Sequence, residues 1–331
     1  MLIKLTLSEI ARACNGELIG PDQEVTTVVT DTRKISVGCL FVALKGERFD
    51  GHDYVIAAMA SGAVGVVSER DLTVSSYVKV ADTVLAYGCI AHLVRNAFSG
   101  PVVCITGSNG KTTVKDWLSQ SLSGKSVLKT RANLNNQIGV PQTLLELESH
   151  HEIAVIEAGT SIPGEIERLA KIASPDVVVL TNASGSHFEG FGNLEGIARE
   201  KGCLISGATS DAIVILNSDD QFFDYWCGLA NERKIYSFGF TDSADLYAYD
   251  IVLGPESSSA TMCYRGESIP VVVAGAGRHS IANGMAVVLA MVAVGISFSS
   301  AVNELASPVL VLGRLERLRT KNEALLINDC Y

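Results

Sequence analysis

The fold of this chain is decided by one stretch of sequence, Val102-Val103-Cys104-Ile105-Thr106-Gly107-Ser108-Asn109-Gly110-Lys111-Thr112-Thr113. Its apolar, β-branched first half predicts a buried strand that ends near Thr106. The two glycines predict a tight turn, and Lys111 opens a predicted helix that continues through Leu118. A strand, a glycine turn and a helix in this order are typical of a doubly wound α/β fold, in which the turn lies at the carboxyl end of a parallel strand.

The residues of the turn have the chemistry of a phosphate cradle. Gly107 and Gly110 let backbone N–H groups close on an anion, and the helix N-terminus adds its unsatisfied donors. Lys111 supplies a positive charge for β- and γ-phosphates, and Thr112 is placed to put its hydroxyl on a magnesium ion. Only two residues separate the two glycines, whereas the general phosphate-loop pattern has four residues between the first glycine and the Gly-Lys pair. The turn therefore predicts a variant nucleotide-binding loop, and the alternative is a glycine turn with an exposed lysine.

The composition is that of an ordinary globular protein. The chain has 331 residues, enough for about two domains, and 47% of them are hydrophobic. A net charge of −10 and the lack of basic runs argue against a nucleic-acid partner. The eight cysteines are dispersed, with no Cys-x-x-Cys pair, so we expect reduced thiols in a cytoplasmic protein.

Neither the N-terminal segment nor the longest apolar run indicates export or membrane insertion. Residues 1–16 read as a strand and a helix, with a Thr6-x-x-Glu9 capping box and Gly16 as the stop, rather than as a signal peptide. Residues 285–296 form an apolar run of about twelve residues, whereas a bilayer needs about twenty. We therefore expect a buried helix there and no membrane insertion.

The pattern of predicted elements divides the chain into a first part of about 84 residues, a longer central part and a short last part. In the first part, a small N-terminal α/β domain, we expect strands at 25–29, 40–44, 64–67 and 77–80 and helices at 7–14 and 54–60. The second part predicts a central, doubly wound and mostly parallel sheet with a P-loop ATPase-like site. Its later strands are expected at 153–157, 177–181, 213–216 and 235–238. An antiparallel patch at 246–274 and helices at 279–294 and 298–305 complete it. The third part reads as a hairpin, which does not make a stable domain alone.

Polar residues follow two further predicted strands. Glu157 ends an apolar strand at the edge of the sheet where the phosphate loop lies, and a carboxylate there suits magnesium. The alternative is a solvated glutamate at a strand end. His187 lies in a polar run after the next strand, and Lys201 lies on the helix that follows. Taken singly, such a histidine is more often structural and such a lysine more often solvated.

Taken together and in order, these motifs resemble the Mur ligase family of ATP-dependent peptidoglycan precursor synthetases. The resemblance covers the whole chain and is carried by Asn133-Leu134-Asn135-Asn136-Gln137-Ile138-Gly139-Val140-Pro141 and His187-Phe188-Glu189-Gly190-Phe191-Gly192. It is greatest to the members that join D-alanyl-D-alanine to UDP-N-acetylmuramoyl-tripeptide. In that reaction the tripeptide carboxylate attacks the γ-phosphate of ATP, and the dipeptide amine displaces the acyl phosphate. The sister ligase that adds the third peptide residue ranks second.

The resemblance implies a role for each motif. ATP would be bound by Gly107, Ser108, Asn109, Gly110, Lys111, Thr112, Thr113, Asn283, Arg314 and Asp329. Magnesium would be bound by Thr112, Glu157, His187 and Lys201, and the catalytic residues would be Lys111, Glu157, His187 and Lys201. Lys201 would act as a carbamate formed with carbon dioxide, because an unmodified ammonium would repel the metal. Ser280 stands where the family commonly has asparagine, and helix capping accounts for it instead.

The resemblance also assigns substrate residues and domains. The UDP-muramoyl end would be bound by Asp31, Thr32, Arg33, Lys45, Gly46, Asp50, Gly51 and His52, and the muramoyl-peptide would face Asn135 and Asn136. By spacing alone, the two charged runs could equally be surface turns. Residues 1–84 would bind substrate, residues 85–313 would bind ATP, and residues 314–331 would begin a third domain that the sequence lacks.

The third domain that the resemblance implies is not in this sequence, and this leaves alternative functions open. A chain without the third domain could be incomplete for catalysis and act as a non-catalytic module that binds nucleotide or substrate. A generic P-loop phosphotransferase is a third reading, which the short loop disfavours. The sequence leaves the oligomeric state open, with a monomer as the default expectation.

Overall fold

The computed structural model describes residues 1–46, 49–185, 188–305, 316–319 and 325–328. The helices are α1 (Leu7–Ala13), α2 (Val55–Ala60), α3 (Thr83–Ala97), α4 (Lys111–Ser121), α5 (Gly139–Leu145), α6 (Glu165–Ala173), α7 (Phe188–Phe191), α8 (Leu194–Ser206), α9 (Phe223–Ala230), α10 (Arg278–Ala293) and α11 (Phe298–Leu305). The strands are β1 (Leu5–Thr6), β2 (Glu17–Ile19), β3 (Glu24–Val25), β4 (Thr27–Val29), β5 (Cys39–Val42), β6 (Gly65–Ser68), β7 (Tyr77–Lys79), β8 (Val102–Thr106), β9 (Val127–Lys129), β10 (Ile153–Glu157), β11 (Val177–Leu180), β12 (Ile213–Asn217), β13 (Lys234–Gly239), β14 (Leu246–Leu253), β15 (Ser257–Tyr264), β16 (Glu267–Ala274), β17 (Glu316–Arg319) and β18 (Leu325–Asn328).

The chain divides into two units. The first contains Met1–Ser99, Arg131–His151 and Lys171–Ala173, and the second contains Gly100–Thr130, Glu152–Ala170 and the described residues from Ser174 onward. The first unit therefore includes all of α3, which crosses the predicted limit at residue 84, and α5, which lies beyond it. The predicted domain limits remain predictions.

The first unit is a small α/β domain, as predicted. Its sheet has the strand order β2-β7-β6-β5-β4, and every pair is parallel except β2 with β7. The predicted capping box is confirmed, because Thr6 Oγ1 accepts the Glu9 N–H and Glu9 Oε2 accepts the Thr6 N–H. The single strand predicted at 25–29 is wrong, since Thr26 bonds to the Gly38 carbonyl through its N–H and its hydroxyl and so separates β3 from β4.

The second unit is built on a sheet of nine strands in the order β16-β15-β14-β13-β12-β11-β8-β10-β9. Strands from β9 to β14 pair in parallel, and β14, β15 and β16 pair antiparallel. The predicted doubly wound sheet with an antiparallel patch is therefore confirmed. Because β8, β10, β11 and β12 run in the same direction, the loops that follow them meet at one edge of the sheet.

The apolar run at 285–296 is a core helix, as predicted. Residues 285–291 of α10 are fully buried and pack with the inner faces of the sheet strands and with α11. None of the helices in the described ranges is long and apolar enough to cross a membrane. The hairpin near the end is also found, with β17 paired antiparallel to β18.

Candidate functional site

The phosphate loop joins β8 to α4 in a conformation that requires both of its glycines. Gly110 directly precedes α4 with φ +84°, and a Cβ there would overlap Asn283 Oδ1. Gly107 has φ +149°, and a Cβ there would overlap Thr181 Oγ1. L-residues with a side chain rarely adopt such positive φ values. The loop is therefore a close-fitted backbone turn at the N-terminus of a helix, which is a favourable place for an anion.

The loop is tied to the loop that follows β11. Ser108 Oγ donates to the Ser184 carbonyl and accepts the Ser184 N–H, both at 2.9 Å. Asn109 donates its N–H to Asn182 Oδ1 at 3.1 Å and its side-chain amide to Ser184 Oγ at 2.7 Å. The Asn109 carbonyl in turn accepts Thr181 Oγ1–H at 2.6 Å. The side chains of Ser108 and Asn109 thus fix the shape of the loop.

The loop after β12 gives a second level of support that the sequence reasoning missed. Asn217 Nδ2 donates to the Thr181 carbonyl at 3.1 Å, and Asp220 Oδ2 accepts the Ala183 N–H at 2.8 Å. Burial raises the pKa of Asp220 above its usual range. The available signal was the polar run that begins at Asn217, directly after a predicted strand. Three successive strand ends therefore hold the phosphate loop.

Two lysines lie near each other at this edge. Lys111 Nζ donates to the carbonyl oxygens of Gly107 at 2.7 Å and Ser108 at 3.2 Å. Lys201 on α8 is only 3% exposed. Burial, reinforced by the charge of Lys111 and opposed by that of Glu200, lowers the pKa of Lys201 to about 7. The interpretation of Lys201 as a solvated surface lysine is therefore wrong, and its amine is substantially neutral near physiological pH.

Glu157 ends β10 and is 2% exposed, so its interpretation as a solvated strand-end residue is also wrong. Its N–H donates to Thr130 Oγ1 at 2.9 Å, and its Oε2 lies 3.7 Å from Nζ of Lys115. Thr112 lies in the first turn of α4. Hydroxyl and carboxylate oxygens are the ligands that magnesium prefers. Thr112 and Glu157 are therefore suitable magnesium ligands, and the glycine turn before α4 is suitable for nucleotide phosphates. The sequence reasoning missed Lys115.

Asn283, which the resemblance assigns to ATP, lies beside the phosphate loop. Asn283 on α10 is the residue that a Cβ at Gly110 would meet. Ser280 lies inside α10, where its hydroxyl donates to the Ala276 carbonyl at 3.0 Å, and the residue before the helix is Gly277. Its interpretation as a capping residue is therefore wrong. His187, Arg314 and Asp329, which complete the predicted nucleotide and metal residues, lie outside the described residues.

The charged run at residues 31–33 in the first unit forms a turn. Thr32 begins a short 3-10 helix, and Asp31 accepts the backbone N–H of Arg33. The guanidinium of Arg33 bonds to the same carboxylate, and Arg33 Nη2 lies 2.7 Å from Asp31 Oδ2. The side chain of Arg33 is nevertheless 88% exposed. These hydrogen bonds from Arg33 lower the pKa of Asp31 to about 2.

In the described part of the second charged run, residues 45–46 and 49–52, Asp50 and His52 belong to a hydrogen-bond network with Glu69 and Arg70. Asp50 Oδ1 accepts the His52 N–H at 3.0 Å and lies 2.6 Å from His52 Nδ1, and Asp50 Oδ2 contacts Arg70. His52 Nε2 accepts the Glu69 N–H at 3.1 Å, so the ring proton lies on Nδ1. A Cβ at buried Gly51 would lie 2.7 Å from the Leu44 carbonyl oxygen. Lys45 and Gly46 are exposed.

A cavity of about 200 Å³ lies within the first unit. It is lined by Thr27, Val28, Val29, Thr30, Asp31, Lys34, Tyr87, Gln142, Leu145 and Glu146. Asn135 and Asn136 belong to the same unit, and Asn136 Oδ1 accepts the N–H groups of Ile138 at 3.1 Å and Gly139 at 2.9 Å. The side-chain oxygen of Asn136 thus accepts hydrogen bonds from backbone N–H groups at the start of α5.

Comparison with known proteins gives one consistent family. Residues 105–291 match the Mur ligase middle domain, and residues 24–94 match the catalytic domain of the Mur ligase family. The UDP-N-acetylmuramoyl-tripeptide–D-alanyl-D-alanine ligase of Escherichia coli K12 is 38% identical over 333 residues, which cover 100% of this chain and 74% of that protein. The enzyme of the same name from Bacillus subtilis 168 is 35% identical and is matched over 73% of its length by 100% of this chain.

Comparison with solved structures points to the same family. MurF from Acinetobacter baumannii matches with a TM-score of 0.92 and 33% identity over 100% of this chain and 74% of that one. MurF ligase from Thermotoga maritima, solved in complex with ADP, matches with a TM-score of 0.82 and 31% identity over 93% of this chain and 71% of that one. A ligase that uses 2,6-diaminopimelate shares the fold, with a TM-score of 0.71 at 19% identity over 96% of this chain and 70% of that one.

Proposed function

The chain belongs to the Mur ligase family, and from that membership we infer that it serves the ATP-dependent ligation of D-alanyl-D-alanine to UDP-N-acetylmuramoyl-tripeptide in peptidoglycan synthesis. The observation that carries this function is the match at 38% identity over the whole chain to the Escherichia coli ligase of that specificity. The geometry supports it, because a phosphate loop, Glu157 and Lys201 lie at the end of the second unit where nucleotides bind in such sheets.

The reaction must turn a carboxylate, which is a poor electrophile, into an amide. ATP supplies a phosphoryl group that activates the carboxylate for attack by the dipeptide amine, and magnesium offsets the charge of the phosphates. Thr112 and Glu157 would hold the metal. Lys111 would leave its present carbonyl partners at Gly107 and Ser108 for the terminal phosphates, where its positive charge stabilises the charge that develops.

Lys201 is proposed to work as a carbamate. Its neutral amine would attack carbon dioxide, so that an N–C bond forms, one C=O π bond opens onto oxygen and the nitrogen releases one proton. The neutral amine thereby becomes a carbamate anion. The pKa of about 7 supports this step, because the nucleophile must be neutral. Lys111 supports the product, since its positive charge, which disfavours an ammonium at Lys201, favours an anion there.

The first unit is proposed to bind the UDP-muramoyl end of the substrate. Asp31 lines a cavity there together with Lys34, and lysine and arginine suit a diphosphate. Arg33 could bind a diphosphate only after its guanidinium exchanged the carboxylate of Asp31 for phosphate oxygens, because the guanidinium now bonds to Asp31. Asp50 and His52 would act by shaping the turn that presents Lys45 and Gly46. Asn135 and Asn136 would contact the muramoyl-peptide, and the side-chain oxygen of Asn136 also accepts the N–H groups of Ile138 and Gly139.

We also propose that the reaction takes place in the cytoplasm, where ATP is available, with a monomer as the acting species. The described cysteines are all free thiols, which fits a reducing compartment. Size-exclusion chromatography with light scattering checks the oligomeric state.

The test is phosphate release from ATP in the presence of UDP-N-acetylmuramoyl-tripeptide, with and without D-alanyl-D-alanine. It is run on this chain and on a chimera extended with the C-terminal quarter of the Escherichia coli relative, because the chain spans 74% of that protein. We expect the dipeptide to stimulate the extended chain. Stimulation by a single amino acid with a UDP-dipeptide substrate would favour the sister ligase. Saturable binding without stimulated release in either chain would favour a non-catalytic module.

A further inference from the structure

The second unit contains a line of four alternating charges that ends at Glu157. Lys129 Nζ lies 2.7 Å from Asp116 Oδ1, Asp116 Oδ2 lies 3.5 Å from Lys115 Nζ, and Lys115 Nζ lies 3.7 Å from Glu157 Oε2. The four residues come from β9, from α4 and from the end of β10. The line thus runs from a strand at the edge of the sheet to the proposed metal site.

Exposure falls along this line. The side chain of Lys129 is 40% exposed and that of Asp116 is 15% exposed, whereas those of Lys115 and Glu157 are 2% and 3% exposed. A buried lysine is costly unless its charge is balanced, and removal of one partner of a buried pair leaves the other uncompensated. Lys115 is also four residues after Lys111 on α4, so two like charges lie one helical turn apart. The carboxylates of Asp116 and Glu157 account for a lysine at this buried position.

We infer that Lys115 is a positioning residue that holds the Glu157 carboxylate in place and balances its charge until magnesium binds. The inference rests on the proposed function, in which Glu157 is a metal ligand. When the metal takes Glu157, the ammonium of Lys115 still has the carboxylate of Asp116 within reach. Lys129 is exposed enough for its ammonium to exchange Asp116 for solvent water. Metal binding then exchanges ion-pair partners, and the buried ammonium of Lys115 keeps a carboxylate at Asp116.

The experiment compares Lys115→Met, Glu157→Gln and the double variant Lys115→Met/Glu157→Gln. Titration calorimetry measures ADP affinity over a range of magnesium concentrations, and urea unfolding measures stability. The matched control is Lys125→Met, which removes a lysine from an exposed ion pair with Glu152 (Nζ to Oε1, 2.8 Å). Lys115→Arg keeps the positive charge and tests rescue.

We expect Glu157→Gln, which removes a proposed ligand, and Lys115→Met, which removes the residue that positions it, each to raise the magnesium concentration for half-maximal ADP binding by about tenfold. Loss of a residue that orients a ligand weakens metal sites by about 10–100-fold. The double variant should be no worse than Glu157→Gln alone, because Lys115 acts only through that carboxylate. Its urea midpoint should exceed that of Lys115→Met, in which the buried Glu157 carboxylate has lost its Lys115 partner. Lys125→Met should leave magnesium dependence unchanged, and Lys115→Arg should recover most of it.

Three results overturn the inference. In the first, Lys115→Met lowers the urea midpoint but leaves magnesium dependence unchanged, which assigns Lys115 a structural role only. In the second, the two single effects multiply in the double variant, so Lys115 does not act through Glu157. In the third, Glu157→Gln leaves magnesium dependence unchanged, and then the metal role of Glu157 in the proposed function falls together with the inference. The first two results leave that role intact.

Discussion

The phosphate loop and the charged turn at Asp31 use polar residues in opposite ways. Around the loop, Ser108 is buried and hydrogen-bonded to the neighbouring loop at Ser184. In the turn, the guanidinium of Arg33 is largely exposed and bonds only two residues back along the chain. The loop is therefore held by a distant segment of the chain, whereas the turn is held by bonds between Asp31 and Arg33, two residues apart.

This difference decides what each region can contribute. The backbone of the phosphate loop is already held in shape when an anion binds, and Lys111 exchanges its two carbonyl partners for phosphate. A preorganised backbone of this kind is what transition-state stabilisation requires. An exposed arginine paired with a nearby aspartate must first leave that partner, and such surface pairs are worth at most about 1 kcal/mol. We therefore expect variants near the phosphate loop to change catalysis, and variants in the charged turn to change substrate affinity alone.

The largest effect is expected at Lys201. Because its pKa is about 7, the amine becomes protonated as the pH falls below 7, and the carbamate is lost with it. ¹³C NMR with labelled bicarbonate should show a carbamate signal that grows from pH 6 to pH 8 and is absent in Lys201→Ala. In the extended chain, the same substitution or removal of carbon dioxide should reduce stimulated phosphate release by about 100-fold. A fully active Lys201→Ala protein would rule out the carbamate role.

An intermediate effect is expected from a matched pair of glycines. Gly110 and Gly164 both precede helices, with φ +84° and +85°, but a Cβ at Gly110 would overlap Asn283 whereas a Cβ at Gly164 would have nothing within 4 Å. Alanine at either position should cost about 1–2 kcal/mol of stability through the left-handed backbone alone. Only Gly110→Ala should also weaken ADP binding, by about tenfold in titration calorimetry. Equal ADP affinities in the two variants would mean that the loop at Gly110 does not contact nucleotide.

The smallest effect is expected at Arg33. Arg33→Gln should change the free energy of unfolding by less than about 0.5 kcal/mol, because the pair with Asp31 is exposed. If the turn binds the diphosphate, the affinity for UDP-N-acetylmuramoyl-tripeptide should fall by a few fold while ADP affinity stays the same. An unchanged affinity for both ligands would leave the turn as surface structure and erase its proposed role.

The sequence predicted those features that depend on local pattern. The order of strand, glycine turn and helix from Val102 to Thr113 specifies the sheet edge, and strict alternation of elements specifies the parallel sheet. Glycines at positive φ and an apolar helix at 285–291 are also local signals. Each of these patterns is confirmed because backbone geometry and burial leave few alternatives.

What the sequence did not predict depends on contacts between distant segments. Lys115 looks like an exposed helical lysine until β9 and β10 bring Lys129 and Glu157 to its helix. Thr26 breaks a predicted strand because a carbonyl twelve residues away accepts its hydrogen bonds. Side-chain partners across such separations are set by tertiary packing, which no single stretch of sequence records.

The central claim is the identity of the bond that the enzyme forms. The most direct measurement is mass spectrometry of the product made by the extended chain from ATP, UDP-N-acetylmuramoyl-tripeptide and a mixture of D-alanyl-D-alanine with single amino acids. We predict a product heavier by one D-alanyl-D-alanine less one water, with one phosphate released for each product formed. A product that contains a single amino acid, or release of phosphate without any joined product, would contradict the account.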